Sequence, residues 1–137
     1  MATYVLVPAG WAGGWQLKGV GSILQAAGHE VYRTTLTGLG ERVHLANPNV
    51  GMETHIQDIT NLFEYEMLDN VLLVGDSYGG AVITGVAERI PQRLHPRDTL
   101  ADYHGRLVPL PLLRDIPAHE APPLRHPTPS PSERAGR

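Results

Sequence analysis

The apolar positions of the first ninety residues follow two kinds of pattern. Short unbroken runs are typical of buried strands, whereas apolar residues that recur every three or four positions are typical of a helix with one buried face. The run at 71–74 is apolar throughout, as in a central parallel strand that helices cover on both faces. The patterns predict six elements in chain order: a strand at 4–7, a helix at about 15–27, a strand at 30–36, a helix at about 54–67, a strand at 71–74 and a helix at 81–90.

The alternation of strands and helices predicts the fold class. Successive strand–helix–strand units build a parallel sheet through right-handed crossovers. Pro8 ends the first strand, Gly28 ends the first helix, and Pro91 stops the last helix. The apolar faces of the first two helices consist of Val20, Ile23, Leu24 and Ala27, and of Ile56, Ile59, Leu62 and Phe63. We therefore expect an α/β fold with three parallel strands and crossover helices, in which the first strand lies between the other two.

The composition changes sharply after about residue 90. Residues 91–137 hold ten of the twelve prolines and seven of the eleven basic residues, whereas residues 1–90 hold thirteen of the fifteen glycines. A segment so poor in apolar residues does not bury enough surface to offset its ordering entropy. We therefore divide the chain into a folded domain at 1–94 and a Pro-, Arg- and His-rich low-complexity tail at 95–137, expected to be disordered. Reading a GC-rich gene out of frame also produces such a composition, and this interpretation of the tail stays open.

Charge and composition exclude several classes of function. The formal net charge is −3 and the pI is about 6.1, so no basic surface for nucleic acid is expected. The chain has no cysteine, no unbroken apolar run of membrane-spanning length and no apolar leader after Met1. No histidine pair has the spacing of metal ligands on a helix. We expect a cytoplasmic protein without a disulfide, a metal site or a membrane partner.

One motif carries chemistry. Residues 75–79 read Gly-Asp-Ser-Tyr-Gly, a G-x-S-x-G pattern between the apolar strand and the predicted helix. This context is that of a nucleophile elbow, in which Ser77 adopts a strained conformation at the carboxyl end of the sheet. Side chains at Gly75 and Gly79 would collide with neighbouring backbone, and the backbone N–H of Tyr78 would donate to a developing oxyanion. The alternative is an ordinary corner with an incidental serine.

The loop after the first strand should lie beside this elbow. It contains Pro8, Ala9 and Gly10, and the Gly10 N–H is the best candidate for a second oxyanion donor. The alternative is that the glycines of this loop serve only its geometry.

Several stretches together resemble one family. They are Tyr-Val-Leu-Val-Pro at 4–8, Gly-Gly-Trp at 13–15, Ala-Gly-His-Glu-Val at 27–31, Thr-Leu-Thr-Gly-Leu-Gly-Glu-Arg at 35–42, and 71–80 with the serine motif. Over residues 1 to about 94 the chain resembles the α/β-hydrolase superfamily. Within it, the chain is similar to bacterial relatives of plant methylesterases, salicylate-binding esterases and hydroxynitrile lyases.

The resemblance implies a Ser-His-Asp triad that acts on small carboxylic esters without a cofactor. Four positions depart from the pattern of many relatives. Pro8 and Ala9 stand where a His-Gly pair is common, Ala12 stands in place of a pocket histidine, and Asp76 stands in place of the histidine before the nucleophile. In this superfamily the acid and the histidine follow the serine in the chain.

Neither partner of Ser77 is recognised after the serine. His29, His44 and His55 precede it and are expected to be solvated surface residues. In the tail, His95, His104, His119 and His126 lie near Asp98, Asp102, Asp115 and Glu120. A dyad of His104 with Asp102 is conceivable, but a proline-rich segment seldom holds a base within about 3 Å of a nucleophile.

The residues leave several functions open. The first is a family esterase that is inactive because it is a fragment. The second is a working hydrolase whose base comes from the tail, and the third is a non-catalytic module that binds a small ligand or a partner. Hydroxynitrile lyase chemistry is an alternative for the same elbow. The stretch 107–113 is apolar but contains two prolines, so it makes a poor central strand. Without a further strand, 71–74 would be an open apolar edge prone to self-association.

Overall fold

Three strand–helix units follow one another along the chain, in a computed structural model that describes residues 1–95, 100–103 and 106–109. The strands are β1 (Thr3–Val7), β2 (Glu30–Arg33), β3 (Val71–Gly75), β4 (Leu100–Tyr103) and β5 (Arg106–Pro109). The helices are α1 (Lys18–Ala26), α2 (Met52–Tyr65) and α3 (Tyr78–Arg89), with short 3₁₀ segments at Gly14–Leu17, Gly40–Leu45 and Pro91–Arg93. The six predicted elements are all present, although β2 is three residues shorter and α3 begins three residues earlier than expected.

The sheet has the predicted parallel arrangement around β1. Its strand order is β2-β1-β3-β4-β5, and β1 pairs in parallel with both β2 and β3. In the β1–β3 register Val7 lies opposite Gly75, so both strands end at the same level. The loops that follow these two strands therefore emerge side by side.

The prediction of an open edge at β3 is wrong in the described residues. Val74 and Gly75 pair in parallel with Leu100 and Ala101 of β4, and Val71 forms a bridge with Leu94. β5 is antiparallel to β4 and ends at Pro109, in keeping with the rule that proline is confined to the margin of a sheet. Self-association through a sheet edge stays a prediction, and in the described sheet it would involve β2 or β5 instead.

One face of the sheet carries the main core. Right-handed crossovers place α2 and α3 on the same face, where they pack against each other. Apolar side chains of β1, β3, α2 and α3 are buried there together: Val5, Val7, Val71, Leu73, Ile56, Ile59, Phe63, Val82, Ile83 and Val86. This core fixes β3 against α3, and the corner between them holds the serine motif.

The opposite face is less completely covered than the sequence predicts. The same crossover rule places α1 on that face, yet Val20 and Ile23 of this helix are 52% and 71% exposed. Leu72 and Val74 of β3 are half-buried. The apolar spacing in α1 predicted the helix correctly, but among the described residues no element packs on this part of its apolar face.

Most of the tail at 95–137 lies outside the described residues. This includes His104, His119 and His126, as well as Asp98, Asp115 and Glu120. Asp102 belongs to β4. In the described part, no helix is both long and apolar enough to span a bilayer.

Candidate active site

Ser77 occupies the tight corner between β3, which ends at Gly75, and α3, which begins at Tyr78. Its backbone has φ 51° and ψ −114°, a conformation that residues other than glycine seldom adopt. Two 2.8 Å hydrogen bonds close the corner, from the Gly79 N–H to the Asp76 carbonyl and from the Gly80 N–H to the Ser77 carbonyl. Ser77 is exposed, and its side chain does not cap α3. A strained and exposed serine at the end of a buried strand is the geometry of a nucleophile elbow.

Gly75 and Gly79 allow this corner to close. A Cβ on Gly75 would overlap the Gly79 carbonyl oxygen and lie 2.7 Å from the Gly80 nitrogen. A Cβ on Gly79 would overlap the Val7 carbonyl oxygen and lie 2.6 Å from that of Pro8. Because all of these contacts are with backbone, no side-chain rotation would relieve them. The spacing of the motif therefore has a steric cause.

Gly10 and Tyr78 lie together beside Ser77. A Cβ on Gly10 would be 3.6 Å from the Cβ of Tyr78, which places the loop after β1 against the first residue of α3. In the described part of the chain, neither the Gly10 N–H nor the Tyr78 N–H donates to a protein acceptor. The first N–H groups of a helix lack intrahelical partners and carry the positive end of its dipole. The corner thus offers two free amides to an anion.

A side chain that the sequence analysis missed links these two loops. The Gln16 Oε1 accepts from the Ala9 N–H at 3.2 Å, and its Nε2 donates to the Asp76 carboxylate at 3.1 Å. The Asp76 N–H in turn donates to the Val7 carbonyl at 3.0 Å. Gln16 therefore joins the residue before Gly10 to the residue before Ser77.

His55 is buried behind the same corner, so its prediction as a solvated surface residue is wrong. It is 5% exposed on α2, with its Nδ1 2.6 Å from the Tyr78 hydroxyl and its Nε2 2.8 Å from the Thr37 carbonyl. A carbonyl only accepts, so Nε2 donates to Thr37 and, in the neutral ring, Nδ1 accepts from Tyr78. The spacing of α2 already predicted that Ile56 and Ile59 lie in the core. The position of His55 next to Ile56 was the one signal that could have indicated its burial.

The other described histidines are placed differently. His44 is exposed, as expected. His29 is half-buried because its Nδ1 accepts from the Ala2 N–H at 3.0 Å and its ring packs edge-on against Tyr4. His95 follows the bridge to β3, where its N–H donates to the Val71 carbonyl.

No general base is paired with the serine in the described residues. None of their side chains forms a hydrogen bond with the Ser77 hydroxyl, and none of their His, Cys, Asp and Glu residues cluster in a group of three or more that could hold a metal ion. Burial raises the pKa of the nearby Tyr78 phenol, which keeps that group neutral in the ordinary pH range. The described corner can thus present a nucleophile and stabilise an anion, but it holds no acceptor for the serine proton.

A cleft of about 480 Å³ opens elsewhere, along β2. Its lining includes Tyr32, Arg33, Arg42 and Asp58, and it does not include Ser77, Gly10 or Tyr78. The Asp58 carboxylate is already engaged by Thr37 through both of its oxygens. This cleft is therefore separate from the chemistry of the corner.

Known proteins resemble this chain over about two thirds to three quarters of its length. No protein-family model matches it. The carbendazim hydrolyzing esterase of Nocardioides sp. (strain SG-4G) is 47% identical over 108 residues, which are 77% of this chain and 45% of that protein. An extracellular α/β-hydrolase from a Paenibacillus species, described as similar in structure and function to tobacco salicylic acid binding protein 2, has a TM-score of 0.63 at 30% identity. That match covers 69% of this chain and 38% of the other.

A plant methylesterase has the same fold at lower identity. The enzyme from Arabidopsis has a TM-score of 0.62 at 23% identity, over 69% of this chain and 40% of its own. The chain therefore spans less than half the length of each of these three proteins.

Proposed function

Since this chain has the fold of the α/β-hydrolases around its first three strands and resembles a bacterial esterase and a bacterial α/β-hydrolase, we propose that it is a carboxylic ester hydrolase with Ser77 as its nucleophile. The observation that carries the proposal is the position of Ser77 at a positive φ, directly between β3 and α3. The free amides of Gly10 and Tyr78 beside it support the same proposal.

The chemistry follows from this arrangement. The Ser77 Oγ attacks the acyl carbon, and the electron pair of the carbonyl moves onto its oxygen. The N–H groups of Gly10 and Tyr78 and the positive end of α3 stabilise that oxyanion. Collapse of the tetrahedral intermediate expels the alcohol, which takes up the proton that the serine lost. Water then hydrolyses the acyl-serine, which releases the carboxylic acid and restores the Ser77 hydroxyl. No cofactor takes part in these steps.

The serine proton needs an acceptor, which we place outside the described residues. From the sequence the candidate acceptor is His104, with Asp102 as the acid that would orient it. Without an effective base, serine hydrolases retain a rate enhancement of about 10³–10⁴ over water from the oxyanion hole and binding. We therefore expect slow turnover that favours esters with good leaving groups. Carbendazim, named as the substrate of the Nocardioides relative, is the first larger molecule to assay.

The experiment compares three forms of the full chain with a fluorophosphonate probe and with 4-nitrophenyl acetate. Wild type should become labelled at Ser77, as located by peptide mass spectrometry, and should release 4-nitrophenol. Ser77→Ala should lose both activities. Ser22→Ala, which changes an exposed serine on α1, should retain both. Ester cleavage that persists in Ser77→Ala would show that the reaction does not use this serine.

Binding without catalysis is the second candidate function. It is favoured by the Ser77 hydroxyl, which has no hydrogen-bond partner among the described side chains. A small-ligand module would bind an aromatic carboxylate saturably in a calorimetric titration and would release no 4-nitrophenol from the ester. Turnover that depends on Ser77 would rule this candidate out.

A further inference from the structure

His55 is a titratable side chain in the described core that the proposed mechanism does not use. It lies on α2 and is 5% exposed. Both of its ring nitrogens have partners, the Tyr78 hydroxyl at 2.6 Å and the Thr37 carbonyl at 2.8 Å. A buried polar group that lacks a partner is strongly destabilising, so these two hydrogen bonds fix the orientation of the ring.

Thr37, which accepts the hydrogen bond from the Nε2 of His55, is itself held by Asp58. The Thr37 N–H donates to the Asp58 Oδ2 at 2.7 Å, and the Thr37 hydroxyl donates to the Asp58 Oδ1 at 2.8 Å. His55 and Asp58 are three residues apart on α2, so both ends of the anchor belong to one rigid helix. The loop after β2, the helix and the imidazole therefore form one fixed support.

This support contacts Tyr78, the residue that follows Ser77. The Tyr78 backbone is held by the corner at Ser77, and its hydroxyl is held by His55. The loop after β1 passes next to the same side chain, because a Cβ on Gly10 would lie 3.6 Å from the Tyr78 Cβ and 4.0 Å from its Cγ. Both free amides of the corner thus belong to residues that lie at the Tyr78 side chain.

We propose that His55 is a positioning residue that sets the spacing of the Gly10 and Tyr78 amides through the hydroxyl of Tyr78. This inference rests on the proposed function, since the spacing matters only if these amides stabilise an oxyanion. The hydrogen-bond partners of His55 are the Tyr78 hydroxyl and the Thr37 carbonyl, and the Ser77 hydroxyl is not one of them. The effect of His55 should appear in the step that forms the oxyanion and not in the binding of the ester.

The variants separate this role from a general loss of stability. Tyr78→Phe removes only the hydroxyl, and His55→Leu removes both hydrogen-bonding nitrogens of the ring. His55→Gln retains one acceptor and one donor. The matched control is Tyr32→Phe, which removes a hydroxyl that bonds the exposed Glu30 at 2.7 Å. All forms are used as the full chain, well below their melting temperatures, with 4-nitrophenyl acetate.

The expected result is a fall in kcat without a change in KM. Loss of an entire oxyanion donor lowers kcat by about 10²–10³, so a displaced donor should lower it by about tenfold in Tyr78→Phe and His55→Leu. KM should stay within about twofold, His55→Gln should recover most of kcat, and Tyr32→Phe should match wild type. If His55→Gln is as impaired as His55→Leu, or if Tyr78→Phe retains full kcat, the inference is wrong.

Amide resonances in ¹H–¹⁵N spectra test the role of His55 independently of catalysis. If wild type shows no Ser77-dependent turnover, the proposed function fails, and the amide resonances of Gly10 and Tyr78 in ¹H–¹⁵N spectra decide the role of His55. Tyr78→Phe should shift both resonances and Tyr32→Phe neither. Unchanged Gly10 and Tyr78 resonances in Tyr78→Phe would overturn the inference, even if His55→Leu fails to fold.

Discussion

Replacing Ser77 with alanine or with glycine should change stability differently. The backbone at this position has φ 51° and ψ −114°, which glycine adopts freely and alanine does not. The serine side chain makes no capping hydrogen bond to α3, and none of the described residues bonds its hydroxyl. Neither variant therefore loses a side-chain contact in the described structure, and the difference between them reports on the backbone alone.

The magnitude follows from two opposing effects. A non-glycine residue in a sparsely populated region of φ and ψ costs about 1–3 kcal/mol in the folded state. The greater freedom of glycine in the unfolded chain offsets about 0.4–1 kcal/mol of that gain. Ser77→Gly should therefore be more stable than Ser77→Ala by about 1 kcal/mol. For a domain of about 100 residues this corresponds to a Tm that is about 4–8 °C higher.

The assay is urea denaturation of both variants, followed by circular dichroism. The matched control is the same pair of substitutions at Ser22, which is exposed inside α1. There alanine should be the more stable residue by about 0.5–1 kcal/mol, because glycine weakens a helix. The sign of the glycine–alanine difference should thus reverse between the two serines. If Ser77→Gly is no more stable than Ser77→Ala, the corner is not strained and the argument for an elbow loses its physical basis.

Two further predictions concern the loops around the corner. Gly79→Ala should destabilise the fold by about 3 kcal/mol, because its Cβ meets the carbonyl oxygens of Val7 and Pro8. Gly19→Ala, which has open space around it, should instead raise the free energy of unfolding by about 0.5 kcal/mol. Equal urea midpoints for the two variants would contradict this prediction. The Thr35 hydroxyl, 2.5 Å from Glu41, holds the pKa of that carboxyl below its ordinary value of 4.5, so the stability it contributes is present above about pH 4.5 and lost as the pH falls through the folded pKa. Glu41→Gln should flatten this acid limb of urea midpoints measured from pH 3 to 7, and an unchanged limb would show that the carboxyl does not contribute.

Local sequence patterns predicted the strands and the corner because both are determined by residues that are close together in the chain. The apolar run at 71–74 forms a strand because of its own composition, and the two glycines of the serine motif are required by backbone atoms close to them. The helix spacing at 54–67 likewise identified Ile59 and Phe63 as core residues. For these elements a short window of sequence contains most of the physical information.

The environment of a residue on one of these elements was harder to predict. His55 was expected to be exposed because histidine is usually polar surface, yet its partners Thr37 and Tyr78 lie 18 and 23 residues away in the chain. The exposure of Val20 and Ile23 was missed for a related reason, since helical spacing shows which face is apolar but not whether another element covers it. The pairing of β3 with residues 100 and 101 depends on segments whose composition gave little strand signal.

Asp76 stands where many relatives have a histidine, and its carboxylate is bonded by the side chain of Gln16. A carboxylate next to the nucleophile would by itself oppose a developing oxyanion. In this chain the Gln16 amide donates to that carboxylate, while its carbonyl oxygen accepts from the Ala9 N–H. One side chain thus disperses the charge beside Ser77 and fixes the peptide that precedes Gly10. The two residues are 60 positions apart and meet only because β1 and β3 are paired with Val7 opposite Gly75. The register of the sheet, more than the motif at the elbow, therefore makes an acidic residue at position 76 compatible with the proposed oxyanion site.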